Sequence, residues 1–329
     1  MTASTRPATS APDRLTLLAA AVAIALGGGN AVGIRIVVQE LDPFWAASIR
    51  FGAAATIFLL YTAARRLALP RGRALTGVVL YGMLAFGVAF ALGFWGLVRV
   101  EAGLAMLILS LVPLLTLFLA AAHGLEPFSV RSLVGALGAV AGFAVIFIFD
   151  DGGARQFSVA GVVAILVAGI AISEAGVVVK AFPKVNPAVE NGLAMAVGTI
   201  VLLVISAFFG ESWVAPGDGE TIAAMAYLVV AGSVVVFGLF VIILSRWTAT
   251  AASYQFVLAP FVTLPVAAWL LSERLSAAML VGAVIVAAGV YVAALHPHRT
   301  KEALAPIQCG PDVMVRHDGE TAQDLIALR

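Results

Sequence analysis

Three helices of this sequence carry side chains that an apolar stretch ordinarily excludes. Glu174 stands alone in "AGIAISEAGVVVK" (168–180), Asn30 interrupts "GGGNAVGIR" (27–35), which ends on Arg35, and Arg50 lies in "SIRF" (48–51). A carboxylate in the middle of a bilayer costs about 2.5–3.5 kcal/mol on insertion scales, and it ordinarily faces a cavity or a partner. The chemistry open to such groups is narrow. A carboxylate can carry a proton or attract a cation, an amide can donate and accept, and a guanidinium can grip a carboxylate through two parallel bonds. Structural readings stand beside these. Glu174 can pair with Arg35 or Arg50 as a buried ion pair, Arg35 can snorkel to the interface, and Asn30 can bond a neighbouring helix, a contact worth about 0.6 kcal/mol on average.

The surroundings are set by composition. Of 329 residues 62% are hydrophobic and 11% charged, against about 25% charged in soluble domains. The chain therefore reads as an all-α polytopic membrane protein. Its net charge of +1 offers nothing to nucleic acid, and its single cysteine, Cys309, excludes a disulfide framework or a multi-cysteine metal site. No metal or cofactor is expected.

A helix needs about 20 apolar residues to cross the hydrocarbon core. Ten stretches qualify: 15–38, 44–64, 74–98, 102–122, 129–149, 159–182, 188–209, 222–245, 250–271 and 276–295. Basic residues set their orientation. With the N-terminus inside, Arg65, Arg66, Arg71, Arg73, Arg131, Lys180, Lys184 and Arg246 fall on the cytoplasmic side, while Glu40, Asp42, Glu211, Asp218 and Glu220 fall outside. Both termini are expected to be cytoplasmic, with tails at 1–14 and 296–329, the latter flexible.

Internal repetition is the stronger signal. The stretch from Arg99 to Gly142 lies on that from Arg246 to Gly289 without a gap, placing Pro113 on Pro260, Glu126 on Glu273, Ser129 on Ser276 and Gly135 on Gly282. Two halves of five helices, 15–149 and 159–295, follow, joined by an outer linker at 150–158. An odd number of spans per half inverts the second relative to the first. Aligning "LDP" (41–43) with "VNP" (185–187) sets Glu174 opposite Asn30, and inverted repeats commonly hold a solute where the halves meet.

These motifs resemble the EamA domains of the drug/metabolite transporter superfamily, in tandem over 15–295. The likeness rests on "GGGNAVGIR", "IRF" (49–51) and the helix-Pro-helix-Glu-Arg-Leu pattern of "LAPFVTLPVAAWLLSERL". It implies ten helices around a central cavity, alternating access, and movement of small organic solutes in a multi-pass bacterial inner-membrane protein. The tryptophan usual in the first helix of each family half is replaced by Gly27 and Ala171, so Tyr81, Phe90, Trp95, Phe237 and Tyr254 are the candidate aromatic ligands.

The remaining motifs read as structural. Pro113 and Pro260 each remove a backbone hydrogen bond and predict equivalent kinks. The aligned glycines predict close helix packing. Glu126 and Glu273 predict capping of the fifth and tenth helices.

The leading expectation is a secondary transporter of amino acids, amines or related metabolites, working as an exporter and coupled to protons. Glu174 would take a cationic group or a proton, Asn30 would bond the solute, and Arg50 its carboxylate. A non-transporting membrane sensor or assembly partner, or a membrane-embedded enzyme, remains as an alternative; the absence of a convergent catalytic set argues against the enzyme. The expected partners are the bilayer and a small-molecule substrate, with no nucleic acid, and the chain is a monomer or a homodimer.

Overall fold

The computed structural model describes residues 14–123, 130–149, 158–246 and 255–294. Every element among them is helical. In chain order they are α1 (Arg14–Gly28), α2 (Asn30–Val37), α3 (Pro43–Ala64), α4 (Arg73–Tyr81), a π-helical stretch π1 (Gly82–Ala89), α5 (Phe90–Leu97), α6 (Ala102–Leu109), α7 (Val112–Ala122), α8 (Val130–Phe149), α9 (Val159–Ala181), α10 (Pro187–Phe209), α11 (Gly219–Val229), a second π-helical stretch π2 (Val230–Val235), α12 (Val236–Arg246), α13 (Gln255–Leu270) and α14 (Ala277–Ala294). Seven segments among the described residues are long and apolar enough to cross a membrane: Arg14–Val37, Pro43–Ala64, Arg73–Leu97, Ala102–Ala122, Val159–Ala181, Pro187–Phe209 and Gly219–Phe240. Three further apolar helices are shorter.

Two of the expected spans are interrupted, one of them where a kink at Pro113 is expected. The first divides at Gly29, between α1 and α2. A break in an apolar setting strands the last carbonyls of α1, and orphaned groups there need partners. Tyr227 of α11 donates its hydroxyl to the Leu26 carbonyl, and Thr263 of α13 donates to that of Gly28. The fourth expected span divides at Ser110–Leu111, and Pro113 occupies the first turn of α7, where its missing N–H costs nothing. At Pro260 helix α13 runs on without a break.

Equivalent helices of the two halves pack against each other. Along α3 and α10, a Cβ on Gly52 would stand 3.4 Å from Thr199, and one on Gly192 3.1 Å from Phe58, so the pair runs antiparallel. Along α8 and α14, a Cβ on Gly142 would meet the Gly282 carbonyl at 2.9 Å, and one on Gly289 the Gly135 carbonyl at 2.7 Å. The aligned glycines thus let two backbones touch, as small residues do between membrane helices.

Carboxylates concentrate at one end of the helices, where Arg35 and Arg274 also lie. Glu40, Asp42, Glu211 and Glu273 gather at the end where α3 and α6 begin. Arg65 and Arg66 end α3 at the opposite side, and Arg73 there lies 5.6 Å from the Phe182 ring that follows α9. We call these the acidic and the basic end.

Candidate functional site

A cavity of about 160 Å³ runs between α1, α2, α4, π1, α5, α6, α9, α12 and α13. Its wall follows one face of the third span through Tyr81, Ala85, Ala89, Gly93 and Leu97. Spaced by four, these residues line about 24 Å of helix at 1.5 Å per residue. Its lining is almost wholly apolar. Among the described lining residues only Asn30, Tyr81 and Gln255 carry polar side chains, and Phe90, Phe237, Phe240 and Met106 supply much of the bulk.

Behind Asn30 lies Arg50, a charged side chain with no exposed surface. Its Nε donates to Ser233 Oγ at 2.9 Å, and its Nη2 donates to the Gly232 carbonyl at 3.0 Å and to Asn30 Oδ1 at 3.4 Å. The cation also sits 4.9 Å from the Phe51 ring centre and 5.2 Å from that of Phe90. Hydrogen bonds from a charged group contribute about 1.5–3 kcal/mol each, and a ring face about 0.5–2 kcal/mol, against several kcal/mol for burying an ion. Among the described residues the cation is held by neutral partners alone. Nη1 has no hydrogen-bond partner.

The local sequence explains the arrangement. Gly232 and Ser233 lie in π2, a widened helical turn of a kind common at functional positions. Asn30 Nδ2 donates to the Gly232 carbonyl at 3.4 Å as well. A Cβ at Gly232 would stand 2.0 Å from Asn30 Oδ1, so this position admits glycine alone if Asn30 and Arg50 are to meet. Phe90 stacks edge-on to Phe51 with centroids 4.5 Å apart, and Phe86 does the same to Phe237 at 4.9 Å. That aromatic group locks α3, π1, α5 and α12 around the cation.

The expected residues separate into groups. Asn30, Tyr81, Phe90 and Phe237 stand on the cavity wall, with Arg50 directly behind it. Trp95 faces elsewhere: Arg99 lies 3.6 Å over its ring and donates to its carbonyl. Arg35 does not snorkel free but donates to the Leu97 carbonyl, tying α2 to the end of α5 where the cavity wall stops. Tyr254 and Glu126 lie outside the described residues.

Glu174 lies off the cavity wall. Its Oε1 stands 3.2 Å from Nε2 of His123, at the end of α7, while Arg35 and Arg50 spend their guanidinium groups elsewhere. The expected pairing with either arginine is therefore corrected. The helix face decides it: Ile172, Ala175, Gly176 and Val179 turn to the cavity, and Ser173, next to Glu174, bonds the Val112 carbonyl of α7 at 3.1 Å.

The acidic end is fastened by carboxylates. Glu211 accepts from the Phe44 and Trp45 amides at 3.0 and 2.7 Å, capping α3. Glu273 accepts from the Ala102 and Gly103 amides, so it caps α6 and not the tenth helix that it precedes in the chain. Trp45 and Trp213 stack with centroids 5.4 Å apart. Glu40 receives the Gly217 amide at 2.6 Å. Hydrogen bonds from the Thr221 side chain and from the Gly217 amide hold its carboxyl below the usual carboxylate range.

Glu190 and Asn191, three and four residues beyond Pro187, are not among the residues singled out from the sequence. Both are buried, and Asn191 donates to the Phe237 carbonyl at 3.2 Å. The available signal was their depth, one full turn inside an apolar span. Among the described residues no group of three or more histidine, cysteine or acidic side chains is arranged to hold a metal.

Comparison with known proteins agrees with this architecture. The family model for the EamA-like transporter family matches twice, at 14–148 and 159–295. An inner membrane transporter of Escherichia coli K12, YedA, described as uncharacterized, is 26% identical over 231 residues, covering 68% of this chain and 72% of its own. An uncharacterized transporter of Archaeoglobus fulgidus is 25% identical over 86% of this chain and 99% of its own. A probable amino-acid metabolite efflux pump of E. coli K12 is 26% identical over 83% and 92%. A solved crystal structure superposes with a TM-score of 0.65 at 21% identity, covering 86% of this chain and 98% of that one. With both halves matched across nearly all the apolar sequence, the chain belongs to the EamA-like transporter family.

Proposed function

We propose that this chain is a secondary active transporter that exports small organic metabolites, amino acids, amines or related compounds, across the bacterial inner membrane by alternating access. The observation that carries the reading is the long apolar cavity with Asn30 on its wall and, behind it, a buried Arg50 whose Nη1 has no partner. A solute carboxylate reaching Asn30 would meet the field of a cation held in low dielectric, where a charge-assisted bond is strong. The aromatic rings beside it would take an apolar side chain. The name of the similar E. coli efflux pump supports amino-acid metabolites as the class.

In this reading all ten apolar helices span the bilayer as two inverted repeats, 15–149 and 159–295, with both termini inside. The acidic end is then periplasmic and the basic end cytoplasmic, as the placement of arginine and lysine favours. The ties made by Arg35, Glu211 and Glu273 close the periplasmic side in this conformation. For the driving ion, the pair of His123 and Glu174 is the proton-handling element, acting from outside the cavity.

The test is counterflow of labelled amino acids into proteoliposomes, comparing the wild type with Asn30→Ala. Exchange that falls at least about tenfold in the variant, a loss of about 1.4 kcal/mol, supports the reading. No exchange of any compound by the wild type overturns it.

A further inference from the structure

Tyr81 repeats, at the basic end of the cavity, the pattern that Asn30 makes near its middle. It is a neutral hydrogen-bonding side chain on the wall, and Glu190, a buried acid, lies on the helix packed against the stretch that carries it. The backbones come together here, since a Cβ on Gly82 would stand 2.5 Å from the Ala194 carbonyl, one turn along α10 from Glu190. Glu190 is 9% exposed, and among the described residues it has neither an ion-pair partner nor a side-chain hydrogen bond. Asn191 beside it is fully buried and its Oδ1 is unpartnered. An acid in the first turn of a helix is often there for the helix dipole alone. Here Asn186 already caps the first turn through Ala188, so the Glu190 carboxylate is left over.

A buried guanidinium and a buried carboxyl group invite the idea that one zwitterion bridges them. Geometry rules this out. Gly52 faces Thr199 across α3 and α10; counting from that level at 1.5 Å per residue, Arg50 and Glu190 are about 16 Å apart along the helices. The ammonium and carboxylate of an α-amino acid share one carbon and cannot span that gap. The two poles are separate stations along one path.

We propose that Glu190 and Tyr81 form a station for the ammonium group of an organic solute, at the basic end of the cavity and distinct from the Asn30 and Arg50 site. One carboxylate, one phenol and one amide oxygen are too few hard oxygen ligands for a metal ion. They suit an ammonium on an apolar body, which takes the charge from Glu190 and a hydrogen bond to the phenol oxygen of Tyr81, whose ring is held edge-on to Phe86. The station rests on the transport reading only in requiring that the cavity admit a solute.

The experiment is direct titration of the full chain in nanodiscs with two probes that share a phenyl ring: phenethylamine, which carries only the ammonium, and 3-phenylpropionate, which carries only the carboxylate. Glu190→Gln is expected to weaken phenethylamine by about tenfold or more, the scale of a charge-assisted bond, while 3-phenylpropionate changes less than about twofold and reports that the cavity is intact. Glu190→Asp, which keeps the charge, should retain most of the amine affinity. The proposal is overturned if the wild type does not bind phenethylamine, if Glu190→Gln leaves its affinity unchanged, or if that variant loses both probes together. If both probes bind as expected and proteoliposomes transport nothing, the transport reading fails and the ammonium station stands.

Discussion

Glu273, in the segment before α14, caps the first turn of α6: its two carboxylate oxygens accept the Ala102 amide at 2.9 Å and the Gly103 amide at 3.2 Å. An acid from the second half thus secures a helix of the first, 171 residues earlier in the chain. Loss of a cap costs about 0.5–2 kcal/mol. Glu273→Ala is therefore expected to lower stability by about 1 kcal/mol and to loosen the acidic end. A cysteine placed at Leu97 should react faster with a membrane-impermeant thiol reagent in this variant than in the parent with the same cysteine. An unchanged labelling rate would show that this cap does not hold the end closed.

Gly232 is predicted to be irreplaceable at its position. Alanine there drives Asn30 Oδ1 from its place and crowds Arg50 Nη2, which a Cβ would meet at 3.3 Å. Overpacking of this kind costs about 1–3 kcal/mol, visible as a lower melting temperature together with weaker solute binding. Gly238→Ala is the control, since nothing lies within 4 Å of its Cβ position.

Glu174→Gln separates two roles. Because the carboxylate faces His123 and not the cavity, solute affinity should stay within about twofold, and stability should change by less than about 1 kcal/mol, as for other accessible ion pairs. If the pair handles protons, the pH dependence of transport flattens. A large loss of affinity at constant pH would return Glu174 to the solute site.

At the acidic end, Glu40 sets a pH dependence whose sign is fixed. Its carboxyl is held below its ordinary value of 4.5 in the folded protein. The hydrogen bonds to the 217–218 turn are accordingly complete above that value and lost as pH falls through the lower folded one. Hydrogen exchange at the Gly217 and Asp218 amides, corrected for the intrinsic pH dependence, should accelerate only in the acid limb. Glu40→Gln should abolish that acid-limb step.

Much of this arrangement is legible in the sequence. Composition and span length established a polytopic helical protein, and the gapless overlay of Arg99–Gly142 on Arg246–Gly289 picked out glycines that do meet across α8 and α14. The depth of Arg50 and of Asn30 marked each as a separate candidate, and the two touch. What escaped depends on contacts distant in sequence. The break at Gly29 is sustained by hydroxyls of Tyr227 and Thr263, about two hundred residues away. The π turns at 82–89 and 230–235 leave no mark in hydropathy because they change the rotation of the helix and not its apolarity. Glu174 was misplaced because an alignment by sequence fixes depth, not the face of the helix, and one residue turns a side chain by about 100°.

The central claim is that solute passes through the cavity beside Asn30, and its glycines give the most direct test. Gly27, Gly93 and Gly176 all line it, and nothing lies within 4 Å of a Cβ built on any of them. Phenylalanine at each would fill the path, while leaving a helix interior no worse than glycine does. The measurement is transport in proteoliposomes by the three variants, with melting temperature as the check on folding. The expected result is folded protein with transport abolished in all three; full transport by folded variants would show that solute does not use this cavity.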